Sequence, residues 1–291
     1  MSNTSKLEDK KPLVFVHIPK AAGSTFYQVL NRQYPISRTV HIEGGLEKQT
    51  SINNFRKLPE EKRLRLKCVR GHIPFGMHRW MSPDTTYVTI LRDPVKRIVS
   101  EYYYVHNTPR HFFHSELISK GMSLDDYIQM KVDANEINIQ TRWIAGCVNF
   151  EALTEPQDQL PPNAFELAKE NIKSHFSVCG LAESFDESLL LMQKVLGWKC
   201  VLYRTKNVGK GKSRSQFLSS TQKLIEEHSQ YDMELYDFAQ SRLDEMLEVN
   251  SIGQSEVQRF QKVNSIIGTP RCLAESICRK VTRNMCSAFC M

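Results

Sequence analysis

The sequence predicts a three-layer α/β domain: a central parallel sheet with helices on both faces. Two observations carry this. Short apolar runs of strand length alternate with longer stretches of helical spacing, the order expected when each strand is followed by a crossover helix. The runs are also apolar at nearly every position rather than at every second one, as in strands buried on both faces.

The elements follow in order. Leu13–Ile18 (LVFVHI) reads as a buried strand, Pro19–Ser24 as a turn, and Thr25–Tyr34 as a helix leaving that turn. Leu64–Val69 is a second strand and Tyr87–Leu91 (YVTIL) a third. Asp93 then caps, and Pro94 opens, a helix running to about His106. Helical patterns recur at 123–145, 162–174, 184–196, 219–229 and 231–248, and Phe176–Leu181 (FSVCGL) is another buried strand. The stretch 151–163 reads as a surface loop and 204–216 (RTKNVGKGKSRSQ) as a basic, flexible one. No internal repeat or low-complexity block is present. The expected organisation is a polar extension over 1–11, one domain over 12–267, and a basic, Cys-rich, loosely ordered tail over 268–291.

Composition narrows the function classes. With 291 residues, 41% hydrophobic, the chain can bury a full core without metals or disulfides. The net charge of +7 suits an anionic ligand or polymer, but no nucleic-acid motif accompanies it, so no nucleic-acid partner is expected. Cys68, Cys147, Cys179 and Cys200 lie singly among apolar residues and read as buried thiols. Cys272, Cys278, Cys286 and Cys290 crowd the tail, where they can form disulfides, accept lipid or serve neither end. No CxxC pair has zinc spacing, so no metal is expected. The N-terminal MSNTSKLEDKK has no signal-peptide core, and no apolar run reaches membrane-spanning length. The expectation is a cytoplasmic protein, with the Golgi lumen as the alternative if an anchor lies outside this chain.

Two segments carry the chemistry. In Phe15–Thr25 (FVHIPKAAGST) a strand meets a tight turn and a hydroxyl-rich helix start. Helix-terminal amides and the helix dipole attract an anion there. Lys20 adds a full charge, Ala21, Ala22 and Gly23 allow close backbone approach, and Ser24 and Thr25 can donate hydrogen bonds. The lysine precedes the glycine, unlike the GxxxxGK[ST] loop of ATPases. An ordinary strand–turn–helix with a surface lysine fits the pattern equally well, and His17 reads as structural. The second segment, Thr89–Tyr104 (TILRDPVKRIVSEYYY), places Arg92 at a strand end, where open α/β sheets bind ligands. Ser100, about two helical turns on, can join the arginine fork around one phosphate. Taken alone, this is a helix with cations on its polar face.

Together, in this order and spacing, HIPKAAGST and LRDPVKRIVSEYYY resemble the 5′-phosphosulfate loop and 3′-phosphate motif of sulfotransferases that use 3′-phosphoadenosine-5′-phosphosulfate (PAPS). The likeness is to the family of heparan sulfate and dermatan/chondroitin 2-O-sulfotransferases (sulfotransferase family 2). It runs from about residue 12 to 250 and includes Asn138–Gly146 (NIQTRWIAG), Gly180–Ser188 (GLAESFDES) and Leu235–Phe238 (LYDF). The resemblance implies a P-loop-like fold in which Lys20, Ala21, Ala22, Gly23, Ser24 and Thr25 hold the phosphosulfate while Arg92 and Ser100 hold the 3′-phosphate. Asn207, Lys210 and Arg214 in the basic loop would close over the nucleotide. The histidine of a G-H-x-x-F-G segment is the base in such enzymes, which points to His72, with His78 as a rival.

The implied reaction is metal-free, in-line transfer of a sulfuryl group from PAPS to a hydroxyl, with a carbohydrate as the expected acceptor. His72 and Lys20 are catalytic and 3′,5′-ADP leaves. Arg110, Lys131, Arg142 and Lys206 suit an acidic glycan, or form a solvated face. Tyr102–Tyr104 and His111–His114 can stack on sugars, with core packing the weightier reading. A P-loop kinase or NTPase would need GK[ST] and a magnesium-binding acidic strand end, which the sequence lacks. A non-catalytic anion-binding scaffold would be expected to have lost its base.

Overall fold

The computed structural model describes residues 10–44, 47–148, 158–204 and 219–267. Five parallel strands form one sheet in the order β2-β3-β1-β4-β5. They are β1 (Leu13–Val16), β2 (Thr39–Ile42), β3 (Cys68–Gly71), β4 (Thr86–Leu91) and β5 (Phe176–Leu181). β1 is central, with Leu13 beside Cys68 of β3 and Thr86 of β4. All four of its residues are 0% exposed, which explains the continuous apolar run. The expected three-layer α/β fold with a parallel sheet is what forms.

Twelve α-helices are described around this sheet: α1 (Gly23–Gln33), α2 (Lys48–Arg56), α3 (Glu60–Leu64), α4 (Pro94–His106), α5 (His114–Ser119), α6 (Leu124–Asp133), α7 (Ile139–Ala145), α8 (Ala164–His175), α9 (Phe185–Leu196), α10 (Ser219–His228), α11 (Gln230–Val249) and α12 (Gln254–Ile267). Asp93 caps α4 as expected, accepting a hydrogen bond from the Lys96 amide with Pro94 in the first turn. Ser123 and Asp126 form a reciprocal capping box on α6.

Two expectations are corrected, and one strand escaped the sequence reading. The helix expected over 123–145 is two helices, because Asn135 and Asn138 turn left-handed at φ 50° and 54° between them. Asparagine tolerates that conformation, which no helix interior can contain. The strand expected over 64–69 is displaced: Leu64 ends α3, and only Cys68–Gly71 reaches the ladder. Its last residue must be glycine, since φ is +138° and a Cβ there would meet the Ile42 carbonyl oxygen at 2.0 Å. β2, an edge strand of four residues with three of them partly exposed, was too weakly patterned to read.

The parallel arrangement brings the ends of β1, β3 and β4 side by side, so His17–Lys20, His72 and Arg92 leave the sheet at one edge. That is where open α/β sheets hold ligands.

Candidate active site

The turn after β1 is a strained cradle. Lys20 and Ala22, neither of them glycine, sit at φ 67° and 59°. Such left-handed residues cost about 1–3 kcal/mol each and cluster at functional sites. No side chain caps α1, and its first turn has no acidic residue. The Thr25 and Phe26 amides donate to the Ala22 carbonyl oxygen at 3.0 and 3.2 Å, and the Gly23 and Ser24 amides precede them at the positive end of the helix, where an anion is attracted. Ser24 is exposed, whereas Thr25 is 6% exposed and faces the interior, so Ser24 is the hydroxyl that reaches solvent.

Arg92 is drawn into this cradle. Its guanidinium donates to the Lys20 carbonyl oxygen at 2.8 Å, and its Nε lies 3.9 Å from Glu183. The Arg92 backbone is gripped by Gln140, which accepts from the Arg92 amide at 2.9 Å and donates to its carbonyl at 2.8 Å. Gln140 is 0% exposed and is fixed in turn by Asp232, which accepts from the Gln140 and Thr141 amides and the Thr141 hydroxyl. The NIQT segment is thus a frame for the arginine, which its polar, helix-like sequence did not reveal.

Lys20 also reaches α4: its Nζ lies 3.8 Å from the centre of the Tyr104 ring. Ser100 stands one turn before Tyr104, on the same face of the helix, and is half-buried. The cradle and Arg92 are therefore brought together, with Ser100 on the α4 face that Lys20 reaches. Asn207, Lys210, Arg214 and Lys206 lie outside the described residues.

His72 follows β3 at the same edge. Its ring stacks on His17 with centroids 4.4 Å apart and planes 25° from parallel. Trp143 meets it edge-on at 5.9 Å, and a Cβ on Gly44 would come within 2.5 Å of it. His17, 8% exposed, shares a 2.7 Å hydrogen bond with the Tyr27 hydroxyl. Burial, then the neighbouring His72, His41 and Lys20, hold the His17 pKa well below the usual histidine range. His78 lies elsewhere, bonded to Tyr87 near the start of β4 and stacked on His175. The histidine after β3 is thus the one placed beside Lys20's loop.

Two of the cations expected to face an acceptor are corrected. Lys131 is 8% exposed and pairs with Glu101 and Glu136, while Arg142 is 3% exposed and donates to the Cys147 and Asn135 carbonyls. Both serve the interior. Arg110 remains exposed. The aromatic run divides: Tyr102 packs on Tyr127, but Tyr103, Tyr104 and Phe112 are 47%, 45% and 48% exposed, so core packing describes only part of it. Among the described residues no cluster of His, Cys, Asp or Glu could hold a metal ion, and no helix is long and apolar enough to cross a membrane.

A family model described as galactose-3-O-sulfotransferase matches residues 3–279. The chain belongs to the galactose-3-O-sulfotransferase family. It is also similar to heparan-sulfate 6-O-sulfotransferase 2 of Danio rerio, 25% identical over 269 residues that cover 78% of this chain and 57% of the relative. The Gallus gallus protein of that name is 26% identical over 267 residues, covering 78% and 65%. The chain thus spans about three-fifths of the length of these relatives. A mouse sulfotransferase, SULT7A1 complexed with PAP, aligns over 82% of this chain and 89% of its own at 14% identity, with a TM-score of 0.32, too slight a likeness to weigh.

Two expectations yield to these findings. The chain is placed among carbohydrate sulfotransferases, but with galactose-3-O and heparan-sulfate 6-O enzymes rather than the 2-O group or sulfotransferase family 2. The cytoplasmic assignment is overturned as well, because heparan-sulfate sulfotransferases act on glycans in the Golgi lumen.

Proposed function

We propose that this member of the galactose-3-O-sulfotransferase family transfers a sulfuryl group from PAPS to a hydroxyl of a glycan. The observation that carries the reading is the convergence at one sheet edge of an open, cationic helix start, Arg92 and a stacked His72. The family's name and the similar heparan-sulfate enzymes support a carbohydrate acceptor. Among the described residues, no feature of the site favours a kinase or a scaffold.

The cradle fits the donor on three counts. Uncapped amides at the start of α1 and Lys20 suit the 5′-phosphosulfate. Arg92, held beside the Lys20 carbonyl, and Ser100 suit the 3′-phosphate. Fixed cations can also neutralise the charge that builds on the leaving phosphate oxygen, without a metal. His72 takes the proton of the acceptor hydroxyl as its oxygen bonds to sulfur; the sulfur–phosphate oxygen bond breaks, and 3′,5′-ADP departs. A half-buried imidazole suits that task near pH 7. Asn207, Lys210 and Arg214 are proposed to cover the nucleotide.

Transfer of radiolabelled sulfate from PAPS to galactose-terminated glycans and to heparan sulfate tests this. Label appearing on one of them, and reduced about 10²–10⁴-fold by His72→Ala, is expected. Full turnover by His72→Ala would remove His72 as the base.

A further inference from the structure

His17 stands where an apolar residue would pack at lower cost. It is 8% exposed, at the end of the central strand, against Phe15, Phe26's neighbour in the core. A polar ring there loses solvation, which its 2.7 Å bond to Tyr27 returns in part. Its three remaining borders are all parts of the site. One face lies on His72, with centroids 4.4 Å apart. The Nε2 edge abuts Gly23 so closely that a Cβ there would sit 1.9 Å away. Lys20 is near enough to bear on its charge. One ring therefore sets the spacing between the donor loop and the histidine after β3.

We propose that His17 is a positioning residue for the base: its ring face holds His72 in orientation and stabilises the positive charge His72 acquires on taking the acceptor's proton. This rests on the reading of His72 as base. The chemistry is that of a cation over an aromatic face. For it to operate, His17 must stay uncharged while His72 charges. The groups around His17 enforce this from every side. His41 comes from β2, His72 from just beyond β3 and Lys20 from the loop, and Arg70 stands over the Tyr27 ring at 4.9 Å. The nearby acid, Glu43, is engaged by His41 at 3.4 Å. Burial holds the Tyr27 phenol protonated, so the bond to His17 persists. In this proposal His72, the more exposed ring of the stacked pair, is the one that carries the acceptor's proton.

Nuclear magnetic resonance titration of the imidazole carbons tests this without a known acceptor, with signals assigned from His17→Phe and His72→Ala. In the unaltered protein the His72 signals are expected to move with pH while those of His17, held well below the usual histidine range, stay flat. His17→Leu removes the aromatic face and should weaken proton binding by His72 about 2- to 30-fold. His17→Phe, which keeps a face, should restore most of it. Both rings charging together in the unaltered protein, or an unmoved His72 in folded His17→Leu, overturns the proposal. Should His17→Leu fail to fold, the unaltered protein still decides. The base reading fails separately, through undiminished sulfate transfer by His72→Ala.

Discussion

Replacing Gly23 by alanine tests the joint between cradle and base. The added Cβ would lie 1.9 Å from His17 Nε2, 2.1 Å from Cδ2 and 2.5 Å from Cε1. Carbon contacts settle near 3.5–4.0 Å, so the ring or the start of α1 must retreat by about 1.5 Å. The ring has nowhere to go, with His72 on one face, Phe15 at 5.5 Å and Tyr27 holding Nδ1. Overpacking costs about 1–3 kcal/mol, and losing the Tyr27 bond about 1 kcal/mol more. A total of about 2–4 kcal/mol should lower the melting temperature by roughly 4–16 °C. If α1 moves instead, its leading amides shift from their aim, and binding of 3′,5′-ADP should weaken by about tenfold or more. Calorimetry measures both. Gly253→Ala, where a Cβ meets nothing within 4 Å, is the control and should change neither. A Gly23→Ala protein as stable as the parent, binding 3′,5′-ADP as tightly, would refute the packing described around His17.

Further outcomes are expected. Glu101 joins Arg97 at 2.8 Å and Lys131 at 3.1 Å. Burial works to raise its pKa, but those two cations and their hydrogen bonds outweigh it and bring the carboxyl down to about 2. Its unfolded value is higher, so the stability it contributes, on the order of 3 kcal/mol, is present above about pH 4.5 and is lost as pH falls towards 2. Glu101→Gln should cost about 3–5 kcal/mol at pH 7 and flatten the acid limb of the stability profile in urea titrations. Gln140→Leu leaves the Arg92 amide and carbonyl without that partner, and should destabilise by about 1–3 kcal/mol and weaken 3′,5′-ADP binding severalfold. An unchanged binding constant would separate the NIQT frame from the donor site.

What the sequence disclosed was local, and what it hid was assembled across the chain. The strand after Lys11 and the Asp93–Pro94 helix start could be read because apolar continuity and capping chemistry are written in consecutive residues. The cradle was legible as a motif, yet its left-handed Lys20 and Ala22 were not, since nothing marks strain at residues other than glycine. Lys131 and Arg142 looked like surface cations because their partners, Glu101 and the Asn135 and Cys147 carbonyls, are supplied by the folded chain. His17 looks structural in the sequence: its bond to Tyr27 joins neighbouring elements, but its stack on His72 exists only because β1 and β3 pair in parallel.

The most direct measurement is calorimetric titration of the purified protein with 3′,5′-ADP, run beside ATP–magnesium and repeated on Arg92→Ala. Binding of 3′,5′-ADP in preference to ATP, weakened at least tenfold by losing the charge-assisted bonds of Arg92, is the predicted result. Absence of binding, or a preference for ATP–magnesium, would contradict a PAPS site at this sheet edge.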